Sequence, residues 1–297
     1  MPQEITVQNA RQWLPARKAD SNKGSYGAVL AAAGSTAYRG AAALCTEGAL
    51  RCGAGLVYLA SVEPVLQLAL TRTPECCVCP CRTARGGGIH PQDADALRSW
   101  FCGKNNTVLL AGPGLGESAA PVCKALLHRS APWCAAVLDA DALNALAAGK
   151  LKRLPLPKNT VLTPHPGEAA RLLGSSVHQV QADRPAAARA LAETYGCVAV
   201  LKGSGTLIAQ PDGTLWHCTT GNAGLAKGGS GDVLAGMTAG LLAAGLPQGR
   251  TAAQMAALAV WLHGEAADRC AEQRSMTAML PQDLFEELGY LLTELEG

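Results

Sequence analysis

Short apolar runs alternate with helical patterns along most of the chain. The runs are rich in Val, Leu and Ala and end in turn-forming residues, which is typical of buried strands. Strands are predicted at 27–34, 55–61, 75–81, 107–112, 134–139, 160–163 and 197–203, followed by a hairpin over 205–219 that turns at Asp212 and Gly213. Helices are predicted at 40–53, 62–70, 93–101, 121–128, 142–149, 182–195, 233–245, 251–270 and 280–295.

This alternation of strands and helices predicts a mainly parallel sheet with helices on both faces. We therefore expect an α/β fold, a three-layer αβα sandwich that forms one domain over residues 1–297. Ligands of such sheets bind beyond the carboxyl ends of the strands. The turns at 34–35, 113–116, 139–141, 164–168 and 202–206 all follow predicted strands, so they are expected to share one edge and to form a single site.

A Gly-rich stretch at 221–245 (GNAGLAKGGSGDVLAGMTAGLLAAG) is the strongest local signal. Its glycines allow backbone N–H groups to converge on an anion, and the helix that follows directs the positive end of its dipole to the same point. Asp232 lies where the loop meets the helix. It could simply be the N-cap, a position that Asp favours, but an acid beside an anion cradle also indicates chemistry at a phosphate.

Three other turns carry candidate chemistry. We expect Asp141 to cap the helix that follows it, whereas Asp139 could face the site and hold a metal through water. In TPHPGE (163–168), His165 could bond to substrate or phosphate and Glu168 could orient waters on Mg²⁺.

The turn at 202–206 (KGSGT) offers an ammonium group and two hydroxyls around glycines, which suits phosphate or ribose contacts. The chain has no G-x-x-x-x-G-K-[ST] motif, which excludes a P-loop NTPase, and no G-x-G-x-x-G directly after a first strand, so a dinucleotide-binding Rossmann fold is disfavoured.

Composition narrows the function classes. The net charge of +2 and the lack of basic runs argue against nucleic-acid binding. The N-terminus lacks the apolar core of a signal peptide, and the longest apolar run (233–246) is too short to span a bilayer. We therefore expect a soluble cytoplasmic protein without a membrane partner.

Most of the 12 cysteines are scattered singly through apolar stretches, as in proteins with reduced thiols. The cluster CCVCPC (76–81) contains one C-x-x-C spacing, that of Cys76 and Cys79, but the chain has no second one. A thiol-rich strand is therefore preferred to a structural zinc site, which usually needs four ligands.

Taken together, the ordered motifs KGSYG, YRGAAAL, AGPGLG, DADALN, TPHPGE, KGSGT and GNAGLAKGGSGDVLAG resemble those of the ADP/ATP-dependent NAD(P)H-hydrate dehydratases. This family belongs to the ribokinase-like superfamily, and the resemblance extends from Lys23 to the C-terminal helices. It implies dehydration of the (6S) hydrate of NADH or NADPH (NADHX or NADPHX) back to the coenzyme. The reaction would be coupled to nucleotide hydrolysis through a phosphorylated hydroxyl. ADP is expected in preference to ATP because the sequence is similar to the bacterial form.

The resemblance also implies roles for individual residues. Asp232 would be the catalytic base and would contact the substrate hydroxyl. The hydrate site would be lined by Ala41, Gly114 and His165, and Glu168 would help to bind Mg²⁺. The nucleotide site would comprise Lys202, Gly203, Ser204, Gly205, Thr206, Gly228, Gly229, Ser230 and Gly231. Because Asp232 lies beside a helix N-terminus, we expect it to stay ionised and to act by its placement.

Some relatives carry a fused epimerase domain. Only about twenty residues precede Lys23 here, so we expect no such domain and a separate NAD(P)H-hydrate epimerase as functional partner. The family also implies a homotetramer. Two alternatives remain open: a ribokinase-like kinase of a vitamin precursor such as hydroxymethylpyrimidine or pyridoxal, and a nucleotide-binding regulator without turnover.

Overall fold

One ten-stranded sheet organises the residues that the computed structural model describes, which are 2–104, 106–129, 131–151 and 154–297. The strands are β1 (Gln3–Glu4), β2 (Ala28–Ala32), β3 (Leu56–Val62), β4 (Cys77–Cys81), β5 (Thr107–Ala111), β6 (Ala135–Leu138), β7 (Asn159–Leu162), β8 (Val198–Leu201), β9 (Thr206–Ala209) and β10 (Leu215–Cys218). Their spatial order is β1-β10-β9-β8-β7-β6-β5-β2-β3-β4. Only β9 runs antiparallel to its neighbours, so the sheet is mainly parallel, as predicted.

Helices connect most of these strands. They are α1 (Val7–Trp13), α2 (Arg39–Arg51), α3 (Glu63–Arg72), α4 (Pro91–Phe101), α5 (Ala119–Leu126), α6 (Ala140–Ala147), α7 (Pro166–Leu173), α8 (Val177–Ala182), α9 (Arg184–Tyr195), α10 (Ser230–Gly245), α11 (Ala252–Ala278) and α12 (Leu284–Glu296). None of the helices in the described part of the chain combines the length and the apolar character needed to cross a membrane.

The two faces of the sheet are covered by different sets of helices. Successive side chains of a strand point to opposite faces, so Val29 and Ala31 of β2 join one buried cluster and Leu30 and Ala32 join the other. The first cluster contains residues of α1, α2, α3, α10, α11 and α12, and the second contains residues of α4 to α9. The predicted αβα layering is confirmed.

The sequence patterns located most elements but missed four, namely β1, α1, α7 and α8. The two-residue strand β1 pairs with β10, and two residues are too few to show a period. Helices α7 and α8 lie mostly between the turn predicted at 164–168 and the helix predicted at 182–195, in a segment for which no element was predicted. Asp183, with ψ 78°, separates α8 from α9, and its carboxylate accepts from Ala186 N–H at the start of α9.

Helix α10 packs against α2 at very short range. A Cβ atom added to Gly240 would lie 2.3 Å from the carbonyl oxygen of Ala49, and one added to Gly236 would lie 2.1 Å from that of Cys45. Contacts this short require glycine, because neither helix backbone can yield independently of the sheet beneath it. Nearly every residue of α10 is buried, which explains why it is apolar on all sides.

This close approach gives a test of the packing. Gly240→Ala should lower the free energy of unfolding by about 1–3 kcal/mol, the usual cost of overpacking a core. Gly289→Ala is the matched control, since Gly289 is exposed on α12 and an added Cβ would meet no atom within 4 Å. That variant should be neutral or more stable by up to about 1 kcal/mol. Urea unfolding of both variants makes the comparison, and equal stabilities would contradict the described helix contact.

Candidate functional site

The carboxyl ends of β2, β5, β6, β7 and β8 meet at one edge of the sheet, and the turns that follow them are joined by hydrogen bonds. Gly34 N–H donates to the carbonyl of Pro113 (2.8 Å), and Lys202 N–H donates to that of Pro164 (2.9 Å). The predicted gathering of these turns is therefore confirmed.

A buried ion-pair cluster lies at the centre of this edge. The Lys202 ammonium donates to Asp139 Oδ1 at 2.8 Å and lies 4.0 Å from Glu168 Oε2. Thr163 Oγ1 also donates to Asp139 Oδ1, at 2.8 Å. Burial alone would lower the pKa of Lys202, but the two carboxylates outweigh burial and raise it. The lysine therefore stays charged.

Asp141 does not cap the helix that follows it, contrary to the sequence-based expectation. Asp139 occupies the N-cap position of α6, and Asp141 lies in the first turn. The Asp141 carboxylate instead accepts from Gly116 N–H at 2.8 Å, which ties the turn after β6 to the turn after β5. Between the two acids, Ala140 has a φ of +47°, an uncommon conformation for a residue other than glycine.

Asp232 lies in the first turn of α10, next to the cluster. It is not the N-cap, since that position is held by Gly229 with a φ of +102°. The expectation that Asp232 stays fully ionised was wrong. Burial and the negative charges of Asp139 and Asp141 raise its pKa to about 7, although Lys202 opposes the shift. Burial outweighs the helix dipole here because the dipole effect at a helix end is small.

His165 and Glu168 form a capping box at the start of α7. His165 Nδ1 accepts from Gly167 N–H (3.0 Å), and Glu168 Oε2 accepts from His165 N–H (2.8 Å). Burial and the charges of Lys202 and Arg171 lower the pKa of His165, so the ring is neutral near pH 7. Burial raises the pKa of Glu168, and Lys202 counteracts it. The turn is thus held in place by its own side chains.

A cavity of about 760 Å³ opens beside the cluster. It has the size of a small-molecule site, for which 300–1,000 Å³ is usual. Of the predicted residues, its lining includes His165, Lys202, Gly203, Ser204, Gly205, Thr206, Ser230 and Gly231. Leu225, Leu234 and Val260 form an apolar part of the wall. A Cβ added to Gly231 would lie 3.3 Å from Lys202 Nζ, so this glycine brings the helix start close to the ammonium group.

Two of the predicted glycines lie elsewhere. Within the described chain, Gly228 and Gly229 are not part of the cavity wall. Gly228 is exposed, and a Cβ added to Gly229 would lie 2.7 Å from a methyl group of Leu44. Gly229, at the N-cap with a positive φ, therefore sets the path of the chain into α10.

Ala41 and Gly114 lie together, near the turn that Asp141 contacts through Gly116. A Cβ added to Gly114 would be 3.1 Å from that of Ala41 and 2.9 Å from that of Tyr38. Neither Ala41 nor Gly114 lines the cavity. Polar and charge interactions connect the two regions. Lys202 donates to Asp139, Asp141 accepts from Gly116 N–H, and the charges of Lys202, Asp139 and Asp141 all act on Asp232. Gly116 is two residues beyond Gly114.

Sequence reasoning missed residues that shape the cavity. Asp268 on α11 accepts from Gly221 N–H (2.7 Å) and Asn222 Nδ2 (2.9 Å), which anchors the Gly-rich loop. His263 on the same helix lines the cavity. Both positions lie inside a long helical pattern, where nothing local distinguishes a residue that faces a ligand from one that faces the core.

The cysteine cluster lies apart from these residues. Cys77 to Cys81 form β4 at the edge of the sheet, as the thiol-rich strand interpretation predicted, and the 12 cysteines are free thiols. In the described ranges, no group of three or more His, Cys, Asp or Glu side chains could hold a metal ion. Burial raises the pKa of Cys79 to about 11, so this thiol is largely protonated and unreactive at neutral pH.

Comparison with known proteins finds relatives along nearly the whole chain. A family model described as NAD(P)H-hydrate dehydratase matches residues 29–289. The chain is 35% identical over 289 residues to the ADP-dependent (S)-NAD(P)H-hydrate dehydratase of Bacillus subtilis, covering 95% of both chains. A crystal structure of the Bacillus subtilis ADP/ATP-dependent NAD(P)H-hydrate dehydratase, co-crystallised with ATP and Mg²⁺, superposes with a TM-score of 0.81 at 32% identity and covers 99% of both chains.

A longer relative is also similar. The chain is 41% identical over 294 residues to the bifunctional NAD(P)H-hydrate repair enzyme of Moorella thermoacetica, covering 98% of this chain and 54% of that protein. It thus spans about half the length of the first curated relatives that it matches. The family model and the match along 95% of the Bacillus subtilis enzyme show that this chain belongs to the NAD(P)H-hydrate dehydratase family, and its fold has the ribokinase-like architecture.

Proposed function

We propose that the chain restores hydrated nicotinamide coenzymes: it dehydrates the (S) hydrate of NADH or NADPH with ADP, in preference to ATP, as phosphoryl donor. The observation that carries this proposal is the placement of Asp232. It directly follows the cavity-lining residues Ser230 and Gly231 in the first turn of α10, and its carboxyl group lies close enough to Asp139, Asp141 and Lys202 for their charges to shift its pKa, which is about 7. A base that accepts a proton at neutral pH belongs at such a position.

The chemistry requires activation of a poor leaving group. The hydrate hydroxyl gives its proton to Asp232 while its oxygen attacks the terminal phosphorus of ADP, and the bond from that phosphorus to the bridging oxygen breaks to release AMP. The phosphorylated oxygen then leaves the nicotinamide ring as phosphate, expelled by the lone pair of the ring nitrogen, and loss of a proton from the adjacent carbon restores the double bond. For these steps the protein supplies positioning and charge stabilisation.

We infer that different cavity residues contact different parts of the nucleotide. We infer that the N–H groups at the start of α10, contributed by Ser230 and Gly231, face the transferring phosphate together with Lys202. Gly203, Ser204, Gly205 and Thr206 would hold the AMP part. Ala41, Gly114 and the neutral ring of His165 would bind the hydrate. Gly228 and Gly229 would act by shaping the loop.

Magnesium fits this site as an ion held mainly by phosphate and water. Mg²⁺ usually takes one or two carboxylates beside substrate phosphates, and Asp139 and Glu168 provide two at this edge. Both Glu168 oxygens already face His165, at 2.8 Å and 3.5 Å, so contact through water suits Glu168 better than direct ligation. Bound there, the ion would neutralise phosphate charge.

We further propose that residues 1–297 act as one dehydratase domain in a cytoplasmic homotetramer, functionally linked to an NAD(P)H-hydrate epimerase. The family resemblance supports the tetramer and the epimerase. Free thiols at all 12 cysteines are in keeping with a reducing compartment.

Substitution of Asp232, the proposed catalytic base, separates catalysis from ADP binding. Asp232→Asn should lower turnover of the hydrate with ADP by about a hundredfold to ten-thousandfold, the usual contribution of a general base. ADP affinity should change little because the phosphate contacts remain. Recovery of NADH absorbance measures turnover, and calorimetry measures ADP binding. Asp20→Asn, at an exposed acid of the N-terminal segment, is the control and should behave like the parent protein. Full activity of Asp232→Asn would remove the proposed role.

The pH dependence of turnover follows from the ionisation of the Asp232 carboxyl group. The base works only when ionised, and its pKa is about 7. Turnover should therefore rise with pH up to about 7 and level off above it, with a slope of about tenfold per pH unit on the acid side. Asp139→Asn removes a charge that raises this pKa, so the inflection should move to lower pH. A pH profile of kcat with the same inflection in both proteins would contradict this coupling.

A further inference from the structure

Two polar side-chain atoms of cavity-wall residues lack hydrogen-bond partners among the described residues. Ser230 Oγ and His263 Nε2 are both buried away from water, with each residue only 7% exposed. Both residues line the cavity of about 760 Å³. Buried polar atoms are nearly always paired in folded proteins because leaving one unpaired is costly. A ligand in the cavity is the natural source of the missing partners.

The protonation state of His263 limits what this partner can be. Burial and the nearby Lys202 charge lower the pKa of the ring to about 4, so it is neutral near pH 7. A hydrogen bond to the backbone of Ser230 acts in the opposite direction and raises the pKa. A bond with that effect is donated by a ring N–H to a carbonyl. Since Nε2 has no partner, the donor is Nδ1.

The Nε2 atom therefore carries a lone pair without a partner, on a residue of the cavity wall. In a neutral imidazole one nitrogen donates and the other accepts. An accepting nitrogen needs an O–H or N–H group from the ligand. It disfavours an ionised phosphate, which offers acceptors only. Of the parts of a nucleotide, the ribose hydroxyls and the amino group of the base can donate.

The position of His263 distinguishes between the ribose hydroxyls and the amino group of the base. His263 bonds to Ser230, the first residue of α10, and lies near enough to Lys202 for the ammonium charge to affect its ring. These neighbours mark the phosphate end of the cavity, whereas Leu225, Leu234 and Val260 offer an apolar wall for the base. The ribose lies between phosphate and base.

We propose that His263 Nε2 accepts a hydrogen bond from a ribose hydroxyl of the bound nucleotide and so makes the site selective for ribonucleotides. This inference rests on the nucleotide site of the proposed function.

Binding of analogues that lack one donor tests the assignment without turnover. Dissociation constants for ADP, 2′-deoxy-ADP, 3′-deoxy-ADP and inosine diphosphate, which lacks the base amino group, are measured by calorimetry. The parent protein should bind one deoxy analogue about threefold to tenfold more weakly than ADP, the effect of one hydrogen bond. His263→Leu should bind ADP more weakly and lose that difference. His263→Gln, which places an acceptor near the position of Nε2, should retain it.

His178→Leu, at an exposed position on α8, is the control and should keep the full difference. If His263→Leu fails to fold, His263→Asn replaces it, since its shorter side chain withdraws the acceptor from the cavity. Unchanged penalties for both deoxy analogues in the Leu or Asn variant would overturn the proposal. So would loss of the inosine diphosphate penalty instead, or loss of the deoxy penalty in the Gln variant as well. A protein that binds ADP but fails to restore the coenzyme leaves this inference standing and removes the proposed reaction; failure to bind ADP removes both.

Discussion

The buried ion pair of Lys202 with Asp139, supported by Glu168, is the interaction on which the site depends. Its three members belong to neighbouring segments: Lys202 follows β8, Asp139 follows β6, and Glu168 lies at the start of the helix after β7. The parallel register of these strands therefore fixes their separation. Removing one partner from a buried pair commonly costs about 3–5 kcal/mol, because the other charge is left uncompensated. The pair also sets the electrostatic environment of Asp232, which Asp139 and Lys202 influence in opposite directions.

The second constraint is the close contact between α2 and α10. Helix α2 carries Ala41, and α10 carries Asp232 in its first turn. Because Gly236 and Gly240 let the two backbones meet at van der Waals distance, the proposed base and the proposed hydrate site are held in a fixed relation. These two glycines thus have a direct consequence for the site. Packing and chemistry are specified by the same helix.

Much of this could be predicted from the sequence, for physical reasons that differ between elements. The buried strands were found because a parallel sheet covered on both faces needs continuous apolar runs, and their order then predicted which turns would meet. The prediction for Asp232 was right about its location beside the Gly-rich loop but wrong about its charge. The missing information was its burial near Asp139, which depends on tertiary contacts. Asp141 was assigned to a helix cap because local pattern cannot show that Gly116, 25 residues earlier, would donate to it. His263 was hidden for the same reason, inside a helix whose apolar pattern continues on both sides.

The central claim is that one phosphoryl transfer, assisted by Asp232, restores one coenzyme molecule. The direct measurement is the stoichiometry of the reaction of purified protein with hydrated NADH and ADP, following NADH by absorbance and AMP and phosphate by chromatography. We expect NADH, AMP and phosphate to appear in equal amounts, with no reaction when the nucleotide is left out. Consumption of ADP with a stable phosphorylated product and no NADH would indicate a kinase, and nucleotide binding without any product would indicate a regulator; either result would contradict the account.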